Sequence, residues 1–372
     1  MTGLERILTT LRHQEPDQVP LFELIINEPV IRALYPSTRL GAGGDVTYLD
    51  FIELEDLDAC CIFENFRITK EFDSQTFADE WGIVWRTSDA GIPYPMEGPI
   101  TSKSDLDAYQ PPDPDAHYRL DDLREAVRRF KGERAVFFLG HETFEFSHYL
   151  LGGMDKLFLA YIEDPEFVDR LSEIVWSYKE RVLANAADAG ADVLMTGDDI
   201  AYRSGPIMSP EHFRRYVLPY LQKAVDVAHA HNIPFIKHTD GNLWPILDDL
   251  VGTGLDGLDP LEPIAHMDIG EVKERVGDRI TLVGNVDCGE LLARGSEEEV
   301  IEAVKETIAK ASPGGGHILA SSNSIHPAVK PENYRAMTQA ARHFGHYPLD
   351  PNFVSRYRQN DYMVKYVDTE GS

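Results

Sequence analysis

Cysteine is nearly missing from this chain: Cys60, Cys61 and Cys288 are the only three among 372 residues. Adjacent cysteines seldom pair with each other, and one further thiol cannot staple a chain of this length. A disulfide framework is therefore excluded, and a reducing compartment, the cytoplasm, is expected. Long apolar runs are missing as well. No stretch approaches the ~20 residues that span a bilayer. The opening MTGLERILTTLRHQEPD is a charged amphipathic helix without the apolar centre of a signal peptide. Basic residues are scarce: 35 Lys and Arg face 63 Asp and Glu, a net charge of −28. Such a surface repels nucleic acid and anionic lipid, so neither is expected as a partner. A polyanionic small substrate is disfavoured on the same ground, and a neutral or cationic one fits better.

What the chain does have is core-forming material, with 43% hydrophobic and 10% aromatic residues. Short apolar runs alternate with longer helical ones. Val19–Leu24, Asp58–Ile62, Ala135–Leu139, Asp192–Thr196, Pro234–Lys237, Leu255–Asp259, Ile280–Gly284 and His317–Ala320 read as strands, rich in Val, Ile and Phe and bounded by Gly, Pro, Asp or Asn. Between them, 210–231, 297–310 and 331–344 carry apolar residues at spacings of three and four, with Ser209 and Ser296 as N-caps. Eight strands alternating with helices predict an α/β fold, a (β/α)8 TIM-type barrel forming one domain over residues 1–372. An insertion at about 63–134 separates the second and third strands. Its Thr76–Pro99 part, with turn signals at Asp89-Ala90-Gly91, Pro93 and Pro95, reads as a β-hairpin, and Leu120–Phe130 reads as a helix. The polar tail, 351–372, suits wrapping either the barrel or a neighbouring subunit, which leaves a homodimer open.

In such barrels the loops after the strands carry the chemistry. Here six successive strand ends supply polar residues: His141, Glu142, Glu145 and His148; Asp198 and Asp199; His238 and Asp240; Asp259 and Glu262; Asn285 and Asp287; Ser321, Ser322, Asn323 and His326. His238-Thr239-Asp240 is the sharpest signal. In extended chain its imidazole and carboxylate point the same way, as a metal site or an oriented base would need. The plainer reading is a hydrogen-bonded pair closing the strand. Asp198-Asp199 could orient substrate, bind a cation or solvate a helix start. Cys288 is read as a small buried residue rather than a reactive thiol.

These residues bring a family into view. The segments HTDGN, GLDPLEP, HMD, LVGNVD and GGGHILASSNSIHPAVKPENYRAM, with DDI and GPIMSPEHFRRYVLPY before them, resemble the uroporphyrinogen decarboxylase superfamily over about residues 190–347. Asp79-Glu80-Trp81-Gly82 and the N-terminal helix extend the likeness weakly. The resemblance implies the same barrel and two chemistries. True uroporphyrinogen decarboxylases hold substrate carboxylates with arginines of an N-terminal Arg-Gln-Ala-Gly-Arg segment, and here that place reads PLFELIINEP. The other branch contains corrinoid-dependent methyltransferases. Its thiol-methylating members hold zinc with a His-x-Cys pair and a later Cys. Here His238 matches the histidine, Asp240 stands at the first Cys and Asn323 at the second.

A His/Asp/Asn set is harder than a thiolate set and suits a stronger Lewis acid. The resemblance therefore implies a demethylating methyltransferase, moving a methyl group from a small O- or N-methylated donor, such as a methoxylated aromatic, to a corrinoid carried by a partner protein. His238, Asp240 and Asp199 are the expected catalytic residues. Glu142, Asp198, Asn285, Ser322 and Trp81 are expected at the substrate. Zinc, where bound, would use His238 and Asp240 with one or two of Glu142, Asn323, Asp199 and His326. The rival readings are a decarboxylase acting on another carboxylated substrate and a barrel that only binds a ligand. The insertion is expected to cover the bowl as a lid, presenting one of the rings Phe72, Phe77, Trp81, Trp85 or Tyr94 to substrate.

Overall fold

The computed structural model of the protein describes residues 1–36, 46–88 and 93–367. In chain order its strands are β1 (Ala59–Phe63), β2 (Ile68–Glu71), β3 (Thr76–Asp79), β4 (Val84–Thr87), β5 (Pro93–Glu97), β6 (Ala135–Gly140), β7 (Val193–Thr196), β8 (Ala201–Tyr202), β9 (Gly205–Pro206), β10 (Phe235–His238), β11 (Gly257–Asp259), β12 (Thr281–Val283) and β13 (His317–Ile318). Seven of them form one curled parallel sheet in the order β1-β6-β7-β10-β11-β12-β13.

The eighth stave differs from expectation. Residues 19–24 make no ladder strand, and only isolated parallel bridges, Leu21 to Leu319 and Ile26 to Ile325, join this segment to the β13 side. Toward β1 it is tied by the Asp58 N–H donating to the Leu21 carbonyl at 2.9 Å and by the Leu21 N–H donating to the Asp58 carboxylate at 2.8 Å. Pro20 has no N–H to give, which breaks a continuous ladder, yet the segment still spans the gap between the two sheet edges.

Alternation sorts the side chains. Phe22, Cys61, Phe137, Met195, Ile236, Val283 and Ile318 fill the inside, with the Phe22 and Phe137 rings 4.7 Å apart. The other faces pack against the surrounding helices. The helix expected at 210–231 is continuous but wound wide at Phe213–Val217. Pro219 follows, and its missing N–H and bulky ring favour such a π-turn. The capping box Ser296–Glu299 starts the helix Glu297–Ala311 as the sequence predicts.

The insertion is more than a hairpin. β2-β3-β4-β5 form a four-stranded antiparallel sheet, because two additional turns are made by aspartates. Asp73 accepts the N–H groups of Gln75 and Thr76, and Asp79 accepts those of Trp81 and Ile83. The Asp89-Ala90-Gly91 turn lies outside the described residues. This sheet leans on the helix Phe144–Leu151, with Trp85 against Tyr149 at 5.2 Å and Trp81 against Phe146 at 4.8 Å. The tail helix Pro351–Tyr357 stacks Phe353 on Phe344 at 5.7 Å, and the Tyr362 N–H reaches Glu306 at 2.8 Å. To residue 367 the tail thus wraps its own barrel. Among the described residues no helix is long and apolar enough to cross a membrane.

Candidate active site

β10 and β11 run side by side with His238 directly opposite Asp259. That register puts His238 Nδ1 2.5 Å from an Asp259 carboxylate oxygen, which fixes the ring and turns Nε2 the other way. Nε2 then faces Asp240 Oδ1 at 3.7 Å and Asp199 Oδ1 at 4.0 Å, too far for hydrogen bonds. Asp240 Oδ2 accepts from Asn323 Nδ2 at 2.5 Å, while Oδ1 is buried without a partner. Asp199 accepts the Asp240 N–H at 3.2 Å. Gly241 is required beside this group: its φ is +89°, and a Cβ would lie 2.7 Å from the carbonyl carbon of Ala201.

One ligand-type atom each from Asp199, His238 and Asp240 lie within 4.8 Å of one another. A carboxylate behind the imidazole and an orphaned carboxylate oxygen in front of it are the features of a histidine held ready for a divalent cation. The residues present therefore fit zinc. Burial alone would lower the His238 pKa, but the hydrogen bond and charge of Asp259, with Asp240 and Asp199, outweigh it and raise the ring to about 9. Burial pushes Asp240 up to about 7, against the pull of His238.

Glu142 does not join this group. Lys237, the residue before His238, points into the barrel wall and puts Nζ 2.9 Å from Glu142 Oε2, and Thr196 Oγ1 donates to the other oxygen at 2.5 Å. Both members of the pair are 1% exposed. Glu142 is thus consumed as the counter-ion of a buried lysine, and the place expected for it beside His238 and Asp240 is taken by Asp199. Asn323 is corrected likewise: its amide nitrogen holds Asp240 and its oxygen accepts the Ser324 N–H at 2.6 Å.

Asp198 is buried at 0% exposure and accepts the N–H groups of Glu142 at 3.2 Å and Glu145 at 3.3 Å, at the start of the helix Phe144–Leu151. Burial, then repulsion from Glu142, raises it to about 7. Glu145, also raised to about 7 by burial and then by Asp199, accepts the Asp199 N–H at 3.5 Å and lies 3.3 Å from His141 Nε2.

The other expected substrate residues are engaged within the protein. Asn285 Nδ2 donates to the Leu261 and Met267 carbonyls at 2.9 and 3.4 Å. Ser322 Oγ accepts the Cys288 N–H at 3.2 Å. His326 Nε2 lies 3.1 Å from the Cys288 carbonyl, and its Nδ1 accepts the Ala328 N–H. Trp81 is 1% exposed, packed between Phe146 and Tyr178. Of the five rings expected in a lid, Phe72 and Tyr94 are 49% and 42% exposed, and Trp85 donates Nε1–H to Asp79 at 2.7 Å.

Sequence reasoning gave no role to three acids. Asp259 orients His238, and its place opposite His238 follows once two adjacent parallel strands are aligned. Glu262 accepts the Gly241 N–H at 2.8 Å. Glu23 lies buried against Ser321 Oγ at 2.6 Å, and burial lifts it to about 8.

A sequence-family model described as uroporphyrinogen decarboxylase (URO-D) matches residues 68–344. Uroporphyrinogen decarboxylase of Alkalilimnicola ehrlichii is 28% identical over 361 residues, covering 90% of this chain and 93% of that protein. The protein of the same name from Vibrio cholerae is 29% identical over 368 residues, covering 90% and 96%. Among solved structures, a methyltransferase from Methanosarcina mazei superposes with a TM-score of 0.73 at 20% identity, covering 92% of this chain and 99% of that one.

Proposed function

The chain belongs to the uroporphyrinogen decarboxylase family, and within it we propose a methyltransferase that moves a methyl group from a small O- or N-methylated compound to the corrinoid of a partner protein. The observation that carries this reading is the Asp199–His238–Asp240 group, with His238 fixed by Asp259 and Asp240 Oδ1 left without a partner. Cleaving a methyl ether leaves an oxygen anion, a poor leaving group unless it is protonated or bound to a Lewis acid. The methyl carbon passes to the corrinoid cobalt, and the C–O electron pair stays on oxygen. In the metal-free site His238 Nε2–H supplies the proton there, because Asp259 and the flanking aspartates hold the ring's pKa up at about 9. Asp199, the most open of the three with its side chain 45% exposed, orients the donor at the mouth. Zinc bound by the same three side chains would take Nε2 in place of that proton and would supply the Lewis acid to the leaving heteroatom instead. Asn323 keeps Asp240 turned toward His238.

Decarboxylation of another carboxylated substrate is the second reading, favoured by the name of the curated relatives. Against it stand the carboxylates around His238 and the lack of any arginine in residues 19–28. The test is a donor panel with reconstituted cob(I)alamin. Loss of the cob(I)alamin absorbance with a methoxyaromatic or methylamine supports methyl transfer. Release of CO2 from a carboxylic acid without a corrinoid requirement supports the second reading.

A further inference from the structure

A second convergence of ligand-type side chains, unused by the proposed chemistry, adjoins the first. A ring nitrogen of His141, a carboxylate oxygen of Glu145 and one of Asp198 lie within 4.8 Å of one another. They come from three places that the fold brings together: the residue after β6, the first turn of the helix Phe144–Leu151, and the turn after β7. His141 Nε2 is 3.3 Å from Glu145 Oε2, and His141 Nδ1 is buried with no hydrogen-bond partner. The imidazole thus meets Glu145 through one nitrogen and has no hydrogen bond on the other, where more than nine in ten buried polar groups are paired. Each Asp198 oxygen accepts one backbone N–H, which leaves lone pairs on both. The lysines whose charge acts on this group are already committed: Lys179 to Glu64 at 3.2 Å, Lys237 to Glu142 at 2.9 Å. Neither is available to neutralise Glu145 and Asp198.

We propose that His141, Glu145 and Asp198 form a second divalent-cation site next to the Asp199–His238–Asp240 group. One imidazole with two carboxylates suits Zn2+ or Mn2+, and three protein ligands leave a position for water or a substrate oxygen. The two groups are joined through the adjacent residues Asp198 and Asp199 and through Glu145, which accepts the Asp199 N–H. A cation at His141 would offset the charges of the half-buried Glu145 and the buried Asp198. The site stands independently of whether the reaction is methyl transfer or decarboxylation.

The experiment is a metal count on the full chain. Protein stripped with chelator is titrated with Zn2+, and separately with Mn2+, by calorimetry, and the bound ions are counted by native mass spectrometry. The wild type is expected to take two ions, and His141→Ala and His238→Ala one each. Glu145→Gln, close to isosteric, is expected to match His141→Ala and replaces it where a melting curve shows that the alanine variant fails to fold. A single ion lost in His141→Ala but kept in His238→Ala would uphold this site and remove the one at His238. A single ion lost in His238→Ala but kept in His141→Ala and Glu145→Gln would overturn the proposal, as would a wild type that binds no ion.

Discussion

Lys237 sits one residue before the histidine at the centre of the site, and it does a different job. Its ion pair with Glu142 is sealed from water, so removing one partner strands a buried charge, at a cost of about 3–5 kcal/mol. Lys237→Met should lower the denaturant midpoint accordingly, and Lys237→Met with Glu142→Leu should recover most of the loss, since both charges are then gone. A double variant no more stable than the single one would contradict this role. Asp259 acts through His238. Asp259→Asn should reduce kcat for methyl transfer by about 100-fold, within the range of general acid catalysis, while KM changes little. A KM effect alone would mean that Asp259 shapes the pocket instead.

Glu23 gives a pH prediction. Its carboxyl is raised from the usual 4.5 to about 8 by burial. A group raised in the folded state contributes stability that is present below its unfolded pKa and is lost as pH rises through its folded pKa. Between about pH 4.5 and 8 the thermal midpoint of the wild type should therefore fall relative to that of Glu23→Gln. Parallel curves across this window would contradict a neutral Glu23.

At the scale of elements, most strands were legible, and the exceptions have local causes. Ala135–Leu139 or Asp192–Thr196 declare themselves because a strand covered on both faces is apolar throughout. Residues 19–24 look the same in sequence, but Pro20 breaks their ladder and only bridges remain. The β2–β5 sheet was half seen. Asp73 and Asp79 make their turns through side-chain hydrogen bonds, which a search for Gly and Pro passes over. The sheet's aromatics now divide by role. Trp81, filling the space between Phe146 and Tyr178, should cost about 3–5 kcal/mol when cut to alanine. Phe72→Ala and Tyr94→Ala, at exposed positions, should stay within about 0.5 kcal/mol. Urea titration of the three variants checks this ranking. If Trp81→Ala left stability intact but reordered donor preference, Trp81 would belong to the substrate after all.

At the scale of the whole molecule, alternation alone announces a barrel, and a barrel puts its strand ends on one rim. That is why Asp199, His238 and Asp240 could be grouped before any coordinates. Their immediate partners were hidden, because pairing across the rim depends on which side chain reaches which. Glu142 looks like a ligand until Lys237 is seen to claim it, and Asn323 until its amide is found on Asp240. The acidity is not confined to the outer surface: Asp199, Asp240, Asp259, Glu145 and Glu262 all act electrostatically around His238 or one another. Such a rim suits a donor that is neutral or cationic.

The central claim is methyl transfer at His238, and its most direct measurement is stopped-flow absorbance of cob(I)alamin mixed with the protein and a panel of methoxyaromatics and methylamines. The account predicts loss of the cob(I)alamin band with at least one donor, slowed by about 100-fold or more in His238→Ala. No loss with any donor, together with CO2 release from a carboxylic acid in the absence of corrinoid, would contradict it.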